Sequence, residues 1–557
     1  MSRLFGIIGV LLPVMTLSVR TSADVFSRRT EYGVVTAHPA ATAAAEALLK
    51  EGGSAADAAI GAQMVLGVVE PQSSGLGGGA IVLYVTPASG DIAALDGLAK
   101  SPADYDQTLG SRSNFSHSGA SVGTPGIVRA MYSLHSRFGK LPWARLFEPA
   151  IDLAENGFPV PPYLARSLAA STKLGFFPPA WFRSPDGNPV EEGTMVRNAK
   201  LASTLRLISQ KGPEAFYVDM APAIVAAVNG TQLPGKMSEG DLAAYSAVER
   251  TALCSKYKDL KVCTFPPPSF GGLAVLETIG ILERVSSKSV DFLNPDFVHL
   301  FVEAGRIAEA DRMQIVGDPD KGAPSVIGLL GEQYLARRAS EIKHDDVLKD
   351  PIAVGIPIDC TSTARAPGPS TSQIVIVDSA GAALSMTTTI NINFGSWIEV
   401  GGFFLNDAMT NFSLPADGTC PANAPGPDKR PETSMAPIIG VEPGGKVVVV
   451  GGSAGGGEIV DYVAQALMQI IDGTSPLAAL DSGHVSTARS PYPGSRGEID
   501  LETGRGISEL ADTLKTFGHA TRSKALPSGL GFLAWRNAWV GAADPRRDGI
   551  VSTGHLP

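Results

Sequence analysis

The stretch PGPSTSQIVIVD, from Pro367 to Asp378, constrains the fold more than any other part of the chain. A Pro/Gly-rich loop segment, PIAVGIPIDCTSTARAPGPS, ends there and runs without a break into an apolar β-run, Thr371–Val377. The turn DSAG (Asp378–Gly381) and a second strand, Ala382–Ile390, complete a hairpin. A third strand, Lys446–Val450, leads through GGSAGGG (Gly451–Gly457) into the helix EIVDYVAQALMQII. Strands of this kind need cover, and the remainder of the chain supplies helices. HPAATAAAEALLKEGG (His38–Gly53) has Pro39 in its first turn and glycines at its end. SAADAAIGAQMVLGVV follows, with Ser54 as cap and Asp57 three residues on, and its all-round apolarity predicts burial. Ala80–Val85 reads as a strand, and Thr124–Arg338 as mainly helical, interrupted by the turn FPPPSFGG (Phe265–Gly272). No tandem repeat is visible, and the fold class read from this order is layered α+β.

Two hydroxyls and a Thr where a loop becomes a strand admit two readings. Ser and Thr commonly cap turns. Alternatively the chain is cut before Thr371, which then becomes an amino terminus. A hydroxyl is a weak nucleophile until a base takes its proton, and no His–Asp pairing suggests itself near any Ser. An N-terminal Thr carries its own base, an α-amine with a reference pKa of about 8. Acyl transfer also needs donors for the oxyanion. The Gly455 and Gly456 amides lie where a strand gives way to a helix, so N–H groups and helix dipole converge there. The competing readings of this glycine run are an ordinary strand–helix turn and a phosphate loop. It lacks the Gly-Lys-Ser/Thr ending of a Walker loop, which disfavours nucleotide binding. GLGGGA (Gly75–Ala80) precedes a strand instead of following one and is no dinucleotide fingerprint.

Composition narrows the partners. With 557 residues, 44% of them hydrophobic and 18% charged, the chain is globular with a substantial core. A net charge of −10 without a Lys/Arg cluster excludes a nucleic-acid partner. Residues 1–23 read as a secretory signal: Arg3, then LFGIIGVLLPVM, then TSA before a cut near Ala23. The apolar stretch is too short to span a bilayer, so the expected product is secreted or periplasmic, with no membrane attachment after signal removal. Cys254 and Cys263 flank SKYKDLKV, whose hairpin register permits a cross-strand disulfide; Cys360 and Cys420 have no evident partner. There is no CxxC or HExxH, and the eight histidines are scattered, so neither metal nor other cofactor is expected.

Glu51–Gly79, GTPG (Gly123–Gly126), PPPSFGG and MTTTINxNFGS (Met386–Ser396) resemble the γ-glutamyltranspeptidase family. So do GPDKRPETSMAP (Gly426–Pro437), GGSAGGG and ADPRRDG (Ala543–Gly549), all in order over nearly the whole mature chain. The resemblance implies an N-terminal-nucleophile hydrolase with a four-layer αββα sandwich. It implies a precursor that cuts itself into a large subunit (24–370) and a small one (371–557), together one interwoven catalytic domain. The nucleophile falls on Thr371, its hydroxyl partner on Thr389 and a substrate-contacting Asn on Asn391. The pair that holds a donor carboxylate falls on Thr433 and Ser434, and the oxyanion glycines on Gly455 and Gly456. The His found two residues after the nucleophile in the family is Gln373 here.

The departures fall on the other half of the pocket. The Arg that pairs with a γ-glutamyl α-carboxylate belongs in a stretch like DGLAKSP, where Leu98 takes its place; no Arg occurs between Ile81 and Gly110. The amine-binding Gln and Asp belong in LNDAMTNFS, where Ala408 and Asn411 stand. A buried charge without its partner costs roughly 3–5 kcal/mol. Three functions follow: an amidohydrolase or acyltransferase whose donor is not a standard γ-glutamyl compound, a conventional γ-glutamyltransferase or glutathione hydrolase, or a processed binding protein without activity. The expected substrate is a small amide or peptide, with water or an amine as acceptor.

Overall fold

The computed structural model describes residues 31–87, 90–286, 289–350, 352–355, 370–415, 421–487 and 498–555. The expected leader, most of the 351–369 segment, Cys360 and Cys420 lie outside the described residues. The strands of the two large sheets are, in chain order, β1 (Glu31–Thr36), β2 (Gly79–Val85), β3 (Ile92–Gly97), β4 (Val248–Thr251), β5 (Leu253–Tyr257) and β6 (Leu260–Thr264). They continue with β7 (Ser370–Val377), β8 (Ala383–Asn391), β9 (Ile438–Val441), β10 (Val447–Gly452), β11 (Gly531–Trp535), β12 (Trp539–Ala543) and β13 (Ile550–His555). The first sheet has seven strands in the order β13-β1-β7-β8-β2-β3-β4, and the second has six in the order β12-β11-β10-β9-β6-β5. All the pairings inside both sheets are antiparallel.

Side-chain alternation builds the layers. In β7, Ile374 and Ile376 face one apolar cluster while Val375 and Val377 face another. In β2, Ala80, Val82 and Tyr84 join the first cluster, and Ile81, Leu83 and Val85 the second. Because successive residues of a strand point to opposite faces, a sheet apolar on both faces must lie between two layers. On one side it packs against helices α1 (Pro39–Lys50) and α2 (Ala55–Val69). On the other it meets Ile439, Val441 and Val450 of the second sheet, whose outer face carries α3 (Gly271–Val285), α4 (Pro295–Ile315) and α5 (Ile459–Ile471). This is the expected αββα sandwich. Among the described residues no helix is long and apolar enough to cross a membrane.

Local signals set the ends of these elements. Ser54 and Asp57 form the expected capping box, the Asp57 N–H donating to Ser54 Oγ at 3.2 Å and the Ser54 N–H to Asp57 Oδ2 at 2.9 Å. In the DSAG turn, Asp378 Oδ1 accepts the Ala382 N–H at 2.9 Å, and its Oδ2 accepts the Ala55 N–H at 3.0 Å. One carboxylate thus closes the β7–β8 turn and meets the positive end of α2. The Cys254–Cys263 disulfide forms across β5 and β6, with Lys258 in the left-handed region at the turn. The second strand of the central hairpin starts at Ala383 and ends at Asn391, close to its expected bounds, whereas the first begins at Ser370, one residue early. The Ser370–Thr371 peptide therefore lies inside the ladder, with Ser370 opposite Asn391.

Strand β7 sits third in the first sheet with both faces covered, so truncation there leaves a cavity. Ile376→Ala, at a fully buried position, is expected to cost about 2–5 kcal/mol. Val540→Ala, on a 38% exposed side chain, is expected to stay within about 0.5 kcal/mol. Urea denaturation of both variants against wild type, followed by circular dichroism, measures the difference.

Candidate active site

The β7–β8 ladder slips just where the hydroxyls gather. Pairing runs in register from Ala383↔Val377 to Thr388↔Ser372, then jumps to Asn391↔Ser370, leaving Thr389 and Ile390 in a bulge. A bulge re-aims the side chain it carries. Here it turns Thr389 Oγ1 onto the Ser370 carbonyl oxygen, which accepts its hydrogen bond at 2.5 Å. Thr371 Oγ1 reaches the same oxygen at 2.5 Å, and the two hydroxyls are 3.5 Å apart. The Asn391 N–H donates to Thr389 Oγ1 at 2.8 Å. Asn391 itself has φ +86°, a left-handed conformation in which Asn is the commonest residue after Gly. Its Nδ2 donates to Asp407 Oδ1 at 3.0 Å and to Thr410 Oγ1 at 2.9 Å, which fixes the side chain. Burial pushes the Asp407 carboxyl up to about 7, against the pull of its hydrogen bonds.

Thr389 and Asn391 open onto a narrow cleft also lined by Leu98, Ala408, Asn411 and Thr433. The chain segments that carry these residues are brought together from β3, β8 and two loops. Leu98 is held by its backbone: its N–H donates to Asp96 Oδ1 at 3.0 Å and its carbonyl accepts Tyr245 Oη at 2.6 Å. Asp96 pairs with two cations, Arg250 Nε at 2.7 Å and Arg430 Nε at 3.4 Å, and Lys100 pairs with Asp428 at 2.9 Å. Among the described residues the one ionisable side chain lining the cleft is Glu432, whose carboxylate meets Arg312 Nη1 at 2.9 Å. Burial pushes Glu432 up to about 7, the Arg312 guanidinium opposing it. Arg312 in turn stacks over Phe270, 3.9 Å from the ring centre.

Thr433 is fixed by the Pro-rich turn, its carbonyl accepting the Phe270 N–H at 2.9 Å and Ser269 Oγ at 3.1 Å. Ser434 Oγ donates to the Gly456 carbonyl at 2.7 Å, which ties the hydroxyl pair to the glycine turn ahead of α5. Gly455 and Gly456 have φ +135° and +69°. A Cβ on Gly455 would lie 2.6 Å from the Tyr462 ring, so this turn admits no side chain there. Among the described residues neither amide donates a turn or loop hydrogen bond. Gln373, in the position of the family's His, is buried, with Nε2 donating to Ser385 Oγ at 3.0 Å and Oε1 accepting Thr387 Oγ1 at 2.7 Å. It faces Gly452, where a Cβ would come within 2.6 Å of its amide.

Three residues around Thr371 carry no sequence-based role. Arg547 Nη1 donates to the Thr371 carbonyl at 2.9 Å, Glu70 Oε2 accepts Ser372 Oγ at 2.8 Å, and Asp407 holds Asn391 as described. All three lie in stretches visible in the sequence, EPQSSGLGGG, ADPRRDG and LNDAMTNFS, but nothing local marks which side chain turns inward. The histidines are less scattered than the sequence suggests. His299 and His519 meet at 2.8 Å beside Glu303 in the opposite helical layer, and the ligand atoms of the three lie within 4.8 Å of one another. His299 also bonds the Lys343 carbonyl, and Glu303 accepts from Arg306 at 2.7 Å and the Leu348 N–H at 2.6 Å. The group is therefore built as a hydrogen-bonded network.

Known proteins resemble this chain in sequence and in fold. The family model described as Gamma-glutamyltranspeptidase matches residues 41–554. A glutathione hydrolase proenzyme of Escherichia coli (strain K12) is 31% identical, covering 98% of this chain and 95% of its own. The acylase ACY 1 proenzyme of Pseudomonas sp. (strain SE83) is 30% identical over 93% of this chain and 92% of its own. The crystal structure of cephalosporin acylase from Bacillus halodurans superposes with a TM-score of 0.81 at 26% identity, covering 94% of this chain and 95% of that one. An αββα sandwich with a bulged hydroxyl pair, matched along nearly its full length in sequence and in structure, establishes that this chain is an enzyme of the γ-glutamyltranspeptidase family.

Proposed function

We propose that this chain is an exported precursor that cuts itself before Thr371 and then works as an N-terminal threonine amidohydrolase or acyltransferase whose donor lacks an α-ammonium. The observation that carries the donor assignment is the cleft wall. Leu98, Ala408 and Asn411 are uncharged, and the lining Glu432 already has Arg312 as its partner. A zwitterionic donor would bury both of its charges against such a wall without new partners. A glutaryl or other simple acyl amide would bury no ammonium. Similarity to an acylase proenzyme supports the same direction.

The first reaction is intramolecular. Thr371 Oγ attacks the Ser370 carbonyl carbon, whose oxygen already accepts the Thr389 hydroxyl at 2.5 Å. The Ser370–Thr371 C–N bond breaks, its nitrogen takes the hydroxyl proton, and an ester remains on Thr371. Water hydrolyses that ester, releasing the Ser370 carboxylate and leaving Thr371 with a free amine and a free hydroxyl. In the second reaction the amine takes the Thr371 hydroxyl proton as Oγ attacks the donor amide. The Gly455 and Gly456 amides receive the oxyanion. Thr433 and Ser434 hold the far end of the donor, each neutral hydrogen bond contributing about 0.5–1.5 kcal/mol. The leaving amine takes the proton back, and water or an amine acceptor then resolves the acyl-enzyme.

A conventional γ-glutamyl hydrolase is the second reading. It is favoured by the match to the glutathione hydrolase proenzyme and by Glu432, a carboxyl able to meet an ammonium.

Two predictions follow from this chemistry. N-terminal sequencing of the purified small fragment is expected to begin Thr-Ser-Gln-Ile-Val, and Thr371→Ala to leave one uncut, inactive chain. Wild-type protein that stays uncut while fully active would refute the mechanism.

For donor choice, kcat/KM is compared on matched glutaryl and γ-glutamyl anilides. Wild type is expected to prefer the glutaryl donor. Leu98→Arg combined with Asn411→Asp is expected to shift preference towards γ-glutamyl, since both charge partners are restored together. A hundredfold wild-type preference for the γ-glutamyl anilide would favour the second reading.

A further inference from the structure

Cutting before Thr371 creates a problem that the hydroxyl pair does not solve. Thr371 is 3% exposed, so the amine released there is generated in the interior, and its protonated form needs an anion. The cut also removes anchors. Ser370 pairs with Asn391 across the ladder, and its Oγ donates to the Gln72 carbonyl at 2.6 Å. Both contacts leave with the departing chain end. What still holds Thr371 is the ladder beyond it and two buried charged side chains.

The first is Arg547. Its Nη1 donates to the Thr371 carbonyl at 2.9 Å and its Nε to the Ser528 carbonyl at 3.0 Å, while its guanidinium sits 4.6 Å from the Tyr163 ring centre. The second is Glu70, fully buried at the end of α2. Its Oε2 accepts Ser372 Oγ at 2.8 Å, and its Oε1 is buried without a hydrogen-bond partner. Ser372 directly follows Thr371 in the strand, so the Glu70 carboxylate is one hydrogen bond away from the neighbour of the new terminus.

We propose that Glu70 and Arg547 position the new amino terminus, Arg547 fixing the Thr371 carbonyl and the free Glu70 oxygen supplying the negative charge that the released ammonium meets. This deepens the terminal-threonine reading and rests on it. Neither side chain touches the donor or the Thr371 hydroxyl; Arg547 acts through the Thr371 backbone and Glu70 through its amine. The charged groups that face Glu70 are Arg547 and Asp548. Burial pushes the Glu70 carboxyl up to about 7, with Arg547 pulling it back. In the precursor it therefore stands near the edge of ionisation, and an arriving ammonium completes the ionisation. An anion beside an amine raises the amine's pKa, so removing the anion lowers it.

The test is the pH profile of kcat on matured enzyme. Wild type is expected to show an ascending limb near pH ~7–8, the range of a terminal amine. Glu70→Gln is expected to move that limb about one pH unit lower. Ser372→Ala, which frees Glu70 from its tether, is expected to move it less in the same direction. Arg547→Gln is expected to lower kcat by about tenfold with KM unchanged, a loss of positioning without a loss of donor binding. Asp378→Asn, a buried carboxylate at the far end of β7, serves as the control and is expected to leave the limb in place.

A limb present in wild type and unmoved in matured Glu70→Gln overturns the proposal and leaves the terminal-threonine reading standing. If Glu70→Gln does not mature, an unmoved limb in Ser372→Ala overturns it instead. A wild-type enzyme with no amino-terminal Thr371 removes the reading and the proposal together.

Discussion

The pairing of β7 with β8 is the constraint on which the rest of the molecule depends. These strands lie near the middle of the first sheet, apolar on both faces, so the helices α1 and α2 on one side and the second sheet on the other hold them rigidly. Rigidity matters because the chemistry is set by a slip of register. If the ladder continued unbroken from Thr388↔Ser372, Thr389 would alternate to a face set by the pleat alone. The bulge breaks the alternation and delivers its hydroxyl to the Ser370 carbonyl. The two outward Ser residues flanking Thr371 then face the loop after α2, bonding Gln72 and Glu70. Strand, bulge and loop together leave Thr371 one orientation.

Around that centre, charges are paired with each other instead of being offered to the cleft. Asp96 takes Arg250 and Arg430 behind Leu98, and Glu432 takes Arg312. Buried pairs of this kind add little net stability over apolar packing, but breaking one strands a charge at roughly 3–5 kcal/mol. A wall of this type therefore resists recruitment of its ions by a ligand. The other polar side chains lining the cleft are hydroxyls and amides, among them Thr389, Asn391, Asn411 and Thr433, which the proposed function turns toward the donor. Such groups orient a donor without demanding that it carry a charge.

Much of this is legible in the chain because it is local. Ser54 and Asp57 cap α2 from three residues apart, Cys254 and Cys263 meet because one hairpin register places them opposite, and the DSAG turn closes β7 onto β8. The strand–turn–helix at Gly455-Gly456 needs only φ values that glycine permits. The family resemblance points to Thr371 and Thr389 because the motifs around them stand in order, with Gln373 as the departure beside Thr371.

What only the tertiary structure decides are the meetings of side chains far apart in sequence. Glu70 reaches Ser372 across a separation of 302 residues and Arg547 reaches Thr371 across 176. His299 and His519, unremarkable singly, meet across 220. A motif names such residues, but which of them points inward depends on how the two sheets and the helices above them pack. The bulge at Thr389 has the same character: the residues MTTTIN allow a straight strand, and the slip comes together with a left-handed Asn391 whose side chain bonds Asp407. Periodicity and capping are properties of a few adjacent residues and are fixed by local sterics. The partners of a buried charge are chosen by whatever the packed core brings within hydrogen-bond reach.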